Sequence, residues 1–90
     1  RIPYRMQITP AILTVIGRAE QFIRGLGLAT VRVRYHSRIA RIEVQPEEFN
    51  KIIRRRETIL AEFKKLGFNY IVLDLQGYRT GSMNELITKK

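Results

Sequence analysis

Ninety residues make one small domain with a thin core. Seventeen Lys and Arg against eight Asp and Glu give a formal charge of +9, which attracts nucleotides, nucleic acids, anionic membranes or acidic protein faces without choosing among them. The chain has no cysteine, which excludes disulfides, thiolate metal sites and cysteine nucleophiles within this stretch.

One histidine and no clustered carboxylates speak against a self-contained metal site. No apolar run approaches the ~20 residues a membrane span requires, so no membrane partner is expected and the compartment expected is the cytoplasm. The start, Arg1-Ile2-Pro3-Tyr4, carries neither an initiator methionine nor a signal-peptide pattern. The chain therefore reads as a fragment of a longer polypeptide, with residues 1–8 a linker, 9–76 an α/β core and 77–90 a loop and short terminal helix.

Thr9-Pro10 is a helix start, a capping hydroxyl followed by proline at the first helical position. Ile12, Val15, Ile16, Ala19, Phe22, Ile23 and Leu26 follow at three- and four-residue steps, the stripe of an amphipathic helix. Gly25 and Gly27 end it. Val31 to Val44 then reads V-R-V-R-Y-H-S-R-I-A-R-I-E-V, two alternating runs split by the polar His36-Ser37-Arg38. Period-two alternation predicts a β-hairpin of half-buried strands. Val31, Val33, Tyr35, Ala40, Ile42 and Val44 share one face, and Arg32, Arg34, Arg41 and Glu43 the other. Arg32 and Arg34 are two residues apart, so their Cα atoms lie about 6.5–7 Å from each other. Three guanidinium groups and one carboxylate do not neutralise themselves, and like charges across a sheet destabilise it unless something compensates. A solvated face is the ordinary outcome. A bound oxyanion is the other, because guanidinium forks match phosphate geometry.

Pro46, Glu47 and Glu48 open a second helix with carboxylates at its positive end. Its stripe is Phe49, Ile52, Ile53, Leu60, Phe63 and Leu66, with Gly67 beyond its C-terminus and Lys64 and Lys65 in the last turn. Arg54-Arg55-Arg56 is read as a fan on that helix, one stem along the core edge and the others solvated. Phe68 to Leu75 is nearly continuously apolar and predicts a strand covered on both faces. Ser82-Met83-Asn84-Glu85 matches a capping box for a short terminal helix. The loop from Gly77 to Ser82 is either an ordinary turn or, at that helix N-terminus, an anion contact. Leu26-Gly27-Leu28 to Val33 echoes Leu66-Gly67-Phe68 to Leu73, a helix ending in Leu-Gly and running into a strand each time. The expected fold is α+β, in the order α-β-β-α-β, with a small three-stranded sheet backed by two helices, resembling a ferredoxin-like fold lacking its first strand.

The opening R-I-P-Y, the hairpin V-R-V-R-Y-H…A-R-I-E-V and the ending L-G-F-N-Y-I-V-L-D-L-Q-G-Y-R-T-G-S-M-N-E resemble the C-terminal region of the ATP-dependent sacrificial sulfur transferases, the LarE family of PP-loop ATP pyrophosphatases. The resemblance covers nearly the whole chain, with the three blocks in the same order. The resemblance implies a parent enzyme whose N-terminal PP-loop domain binds ATP and Mg and adenylylates a carboxylate of a pyridinium mononucleotide. Sulfur then comes from a protein cysteine or, in some relatives, an iron–sulfur cluster, in making a nickel-pincer cofactor. Neither the PP-loop nor a cysteine is present here, so this stretch alone is expected to be inactive, with no catalytic residue of its own. Arg32 and Arg34 match the paired arginines that hold the substrate phosphate, Glu43 the glutamate on the facing strand, and Glu20 and Arg79 motif positions near the site. The family usually has glycine after R-I-P-Y, where this sequence has Arg5, and often glycine after the histidine of the hairpin, where it has Ser37, both in turns. A nucleotide substrate, the PP-loop domain of the same chain and a homo-oligomer are the implied partners. The alternative from charge is a small basic nucleic-acid-binding module. No pair of aromatic side chains on the sheet and no glycine-rich binding loop supports it.

Overall fold

The computed structural model describes residues 9–78. They form α1 (Pro10–Gly25), β1 (Val31–His36), β2 (Ile39–Val44), a 3₁₀ turn (Pro46–Glu48), α2 (Phe49–Arg54), α3 (Arg56–Lys65) and β3 (Tyr70–Leu73). The expected α-β-β-α-β order and three-stranded sheet are present, with the second helix in two pieces. The terminal helix expected from Ser82 lies outside the described residues.

Local chemistry sets the helix ends. The Thr9 hydroxyl accepts a hydrogen bond from the Ile12 N–H at 3.1 Å, ahead of Pro10. Both Leu-Gly pairs end helices in the same way, with Gly27 at φ +104° and Gly67 at φ +105°, a conformation that side chains with a Cβ resist. At the second, the Phe68 N–H donates to the Phe63 carbonyl at 3.2 Å and the Gly67 N–H to the Lys64 carbonyl at 3.0 Å. The Phe63 and Phe68 rings meet at 5.5 Å between centroids. This is the hydrophobic contact that accompanies such a cap, and it joins helix end to core. The long helix expected from Pro46 to Lys65 breaks at Arg55 (φ −105°, ψ 21°), whose N–H donates to the Ile52 carbonyl three residues back. No glycine or proline marks the break, so the apolar pattern runs through it. Arg54, Arg55 and Arg56 are all exposed. Of the three, Arg56 lines an apolar groove between α2, α3 and β3.

The hairpin forms with the expected faces, Val31 opposite Val44 through His36 opposite Ile39. Its two-residue loop holds Ser37 and Arg38 at φ 47° and 69°, the left-handed pair that matches strand twist and that glycine and asparagine usually supply. β2 also pairs with β3, in parallel, so the strand order is β1-β2-β3. A ferredoxin-like sheet splits its β-α-β units with an intervening strand. Here β2 and β3 are direct hydrogen-bonded neighbours, and no slot for a further strand lies between them.

One face of the sheet carries the core. Val31, Val33, Ala40, Ile42 and Val44 pack with Ala19 and Ile23 of α1, Ile52 of α2, Ile59 and Phe63 of α3, and Leu28 and Phe68. β3 departs from expectation. It is an edge strand, with Tyr70 66% and Val72 41% exposed, while Ile71 and Leu73 pack against the core. Its apolar run therefore reflects one covered face rather than two, because the helices lie on the other side of the sheet from Tyr70 and Val72.

Candidate functional site: the open face of the sheet

The second face of the sheet bears Arg32 and Arg34 from β1, and Arg41 and Glu43 from β2. Arg32 sits directly opposite Glu43 and Arg34 directly opposite Arg41. The two facing arginines are reconciled by Glu43. Its Oε2 lies 3.4 Å from Arg34 Nε and 3.3 Å from a terminal nitrogen of Arg41. Glu43 is 4% exposed, the one buried charged residue among those described, and a buried carboxylate demands such pairing. Arg41 Nε also faces Asp74 Oδ2 at 3.8 Å. Asp74 reaches the cluster because the parallel ladder runs one residue past β3, its N–H donating to the Ile42 carbonyl at 2.9 Å. Alternation through Tyr70, Val72 and Asp74 was the available signal for it.

Arg32 is held differently. Among the described residues no carboxylate contacts it, and its guanidinium lies over the Tyr78 ring, 5.8 Å from the centroid. Tyr78 is placed by its N–H, which donates to the Val44 carbonyl at 2.8 Å, after a turn in which the Gly77 N–H donates to the Asp74 carbonyl at 3.0 Å. Only glycine suits position 77. Its φ is +82°, and a Cβ there would meet the Val44 carbonyl oxygen at 3.0 Å and Pro46 Cδ at 3.1 Å. The face thus holds three guanidinium groups, one more than its two carboxylates, and the surplus charge is at Arg32.

Glu20 does not reach the guanidinium groups of Arg32 or Arg34. Its Oε2 accepts from the Val33 N–H at 2.9 Å and its Oε1 lies 3.7 Å from Arg24, so it closes part of the outer edge of β1. Beside that edge runs a shallow groove lined by Ile16, Glu20, Arg32, Arg34, Tyr35 and His36. Glu20, Arg32 and Arg34 therefore converge on one groove, with Glu43 joined to it through Arg34. Arg79 lies outside the described residues. His36 ends β1 and is exposed. Its pKa is lowered from 6.5, first by partial burial and then by the Arg41 and Arg34 charges, against an opposing pull from Glu43. Among the described residues no group of three His, Cys, Asp or Glu side chains could hold a metal ion, and no helix is long and apolar enough to cross a membrane.

No protein-family model matches the chain. Over 89 residues it is 38% identical to the pyridinium-3,5-bisthiocarboxylic acid mononucleotide synthase of Lactiplantibacillus plantarum, a match that takes in 99% of this chain. The chain is a homologue of part of that synthase. It is also 41% identical over 93 residues to an uncharacterised protein of Synechocystis, and 31% identical over 80 residues to one of Methanocaldococcus jannaschii. The match agrees with the resemblance to the sulfur transferases in running over nearly all of the sequence. The chain spans about a third of the length of these curated relatives, at 32%, 34% and 31%.

Proposed function

We propose that the chain is the substrate-phosphate-binding and assembly domain of an ATP-dependent sulfur transferase acting on a pyridinium mononucleotide in nickel-pincer cofactor biosynthesis. The observation that carries this reading is the open sheet face, where Arg32 and Arg34 project together and Arg32 has no carboxylate partner among the described residues. The similarity to a mononucleotide synthase supports the ligand class.

In this role Arg32 and Arg34 bind the phosphate monoester of the substrate. Two neighbouring guanidinium forks neutralise a dianion and fix its direction. Glu43 keeps Arg34 and Arg41 from repelling one another before the ligand arrives. Glu20 fixes the edge of β1 against α1. ATP and Mg supply the activation of the substrate carboxylate, and the glycine- and serine-rich loop that would hold them belongs to the PP-loop domain of the same polypeptide. No residue of this chain is assigned to that step. Anchoring the phosphate leaves the far end of the nucleotide free to reach the reacting groups, the positioning part of catalysis. Among the described residues the outer edge of β3 has no strand partner and lies beside the apolar groove where Ile53 and Val72 are exposed, which supports a homo-oligomer; the compartment we propose is the cytoplasm.

The test is a pair of calorimetric titrations, one with a pyridine mononucleotide and one with its nucleoside, which lacks the phosphate. The proposal expects the mononucleotide to bind at least tenfold more tightly and the double variant R32A/R34A to erase the difference. Equal affinity for the two ligands would remove the phosphate site. Binding of single-stranded RNA with affinity growing with length would favour the nucleic-acid reading instead.

A further inference from the structure

Resting on that reading of the phosphate site, we propose that Tyr78 is a positioning residue that holds Arg32 ready for the phosphate while leaving its hydrogen-bond donors available. The two arginines are restrained in different ways. Arg34 points its Nε at Glu43 at 3.4 Å, so part of its donor set is engaged before any ligand binds. Arg32 is restrained by a ring, with its central carbon over Tyr78 at 5.8 Å from the centroid. A guanidinium is planar. Its attraction to an aromatic ring acts through its face, whereas its five N–H groups lie around its edge. A ring can therefore limit where the side chain goes without competing for the ligand, which a carboxylate cannot do.

The backbone around Tyr78 is built to keep the ring there. Gly77 at φ +82° makes a turn that no side chain would fit, packed against Val44 and Pro46. The Tyr78 N–H then bonds to the Val44 carbonyl at 2.8 Å, at the end of β2 next to Glu43, and Glu43 is the cross-strand neighbour of Arg32. The ring is thus tied to the same strand pair that carries the arginine. Tyr78 is half-buried and is absent from the buried core.

Two variants and one probe test this. The probe is inorganic phosphate, followed through the Nε–H signals of Arg32 and Arg34 in the 90-residue chain. Tyr78→Phe keeps the ring and should bind phosphate within about twofold of the parent. Tyr78→Leu keeps apolar bulk but removes the ring, and should weaken binding by about two- to fivefold, the range of an exposed cation–π contact, with the Arg34 response preserved. A second measurement does not depend on the leucine variant folding. In the parent and in Tyr78→Phe, the Arg32 side-chain protons should show an upfield ring-current displacement. If Tyr78→Leu binds phosphate as the parent does, or if the parent shows no ring-current displacement at Arg32, the positioning role is wrong while the phosphate site stands. If the parent itself does not bind phosphate, the underlying reading fails first.

Discussion

The two faces of the sheet are built from alternate residues of the same strands and solve opposite problems. On one face, Val33, Ala40, Ile42 and Val44 meet α1, α2 and α3 in an apolar core. On the other, Arg34, Arg41, Glu43 and Asp74 meet one another beside Arg32, with no helix above them among the described residues. The first face is held by loss of water-exposed apolar area, which scales with area and tolerates no voids. The second is held by charge pairs that need particular partners, and its charges do not cancel. The difference teaches where stability and ligand recognition separate: changes on the covered face should cost folding, and changes on the open face should mainly alter anion binding.

The largest expected effect lies on the covered face. Phe63 is fully buried and packs against Phe68, so Phe63→Ala should destabilise by about 3–5 kcal/mol in urea denaturation, enough to unfold much of so small a domain. A loss below 1 kcal/mol would mean the core is not centred there. Next comes the turn after β3. Gly77→Ala places a Cβ at 3.0 Å from the Val44 carbonyl oxygen in a left-handed conformation and should cost about 2 kcal/mol. It should also disturb Tyr78 and hence the Arg32 signal, so an unchanged Arg32 would separate the turn from the site.

Glu43→Gln should separate the two quantities most clearly. Arg34 and Arg41, each about a third exposed at 31% and 38%, would face each other with less to hold them. Solvent screening limits the loss to about 1 kcal/mol. Phosphate affinity should nevertheless rise, because Arg34 no longer shares its Nε with a carboxylate. A fall in affinity at unchanged melting temperature would show that Glu43 aims Arg34 rather than competes for it.

The smallest effect is on pH. His36 has its folded pKa depressed below 6.5, so the unfolded chain takes up the proton first as pH falls. The stability contributed by neutral His36 is complete above pH 6.5 and is lost as pH falls from there through the lower folded pKa. Melting temperature should therefore drop slightly across that window, and His36→Asn should flatten the drop. An identical slope in the variant would place the titration elsewhere.

Much of the covered face was legible beforehand. The alternation from Val31 to Val44 places its inward residues correctly, and Thr9-Pro10 and the two Leu-Gly pairs mark helix ends, because each of these signals is local. Arg32 and Arg34 could be put on one face by the same period of two. What they contact could not be read, since partners come from distant sequence: Asp74 joins through the parallel ladder, and Tyr78 through a turn closed by Gly77. Glu20 falls near the pair, but its carboxylate is spent on the Val33 N–H, a contact that depends on how α1 lies along β1. The apolar run of β3 misleads for a similar reason. Composition shows that a strand is hydrophobic, and only strand order shows that it is an edge.

The claim that the open face is an anion site is tested most directly by titrating the chain with inorganic phosphate at low salt and mapping every amide, methyl and arginine Nε–H signal. The account predicts that Arg32 and Arg34 move together at millimolar phosphate or below, that added salt reverses the movement, and that the methyls of Val33 and Ile42 stay still. Unmoved arginine signals, or changes confined to Arg54, Arg55 and Arg56, would contradict it.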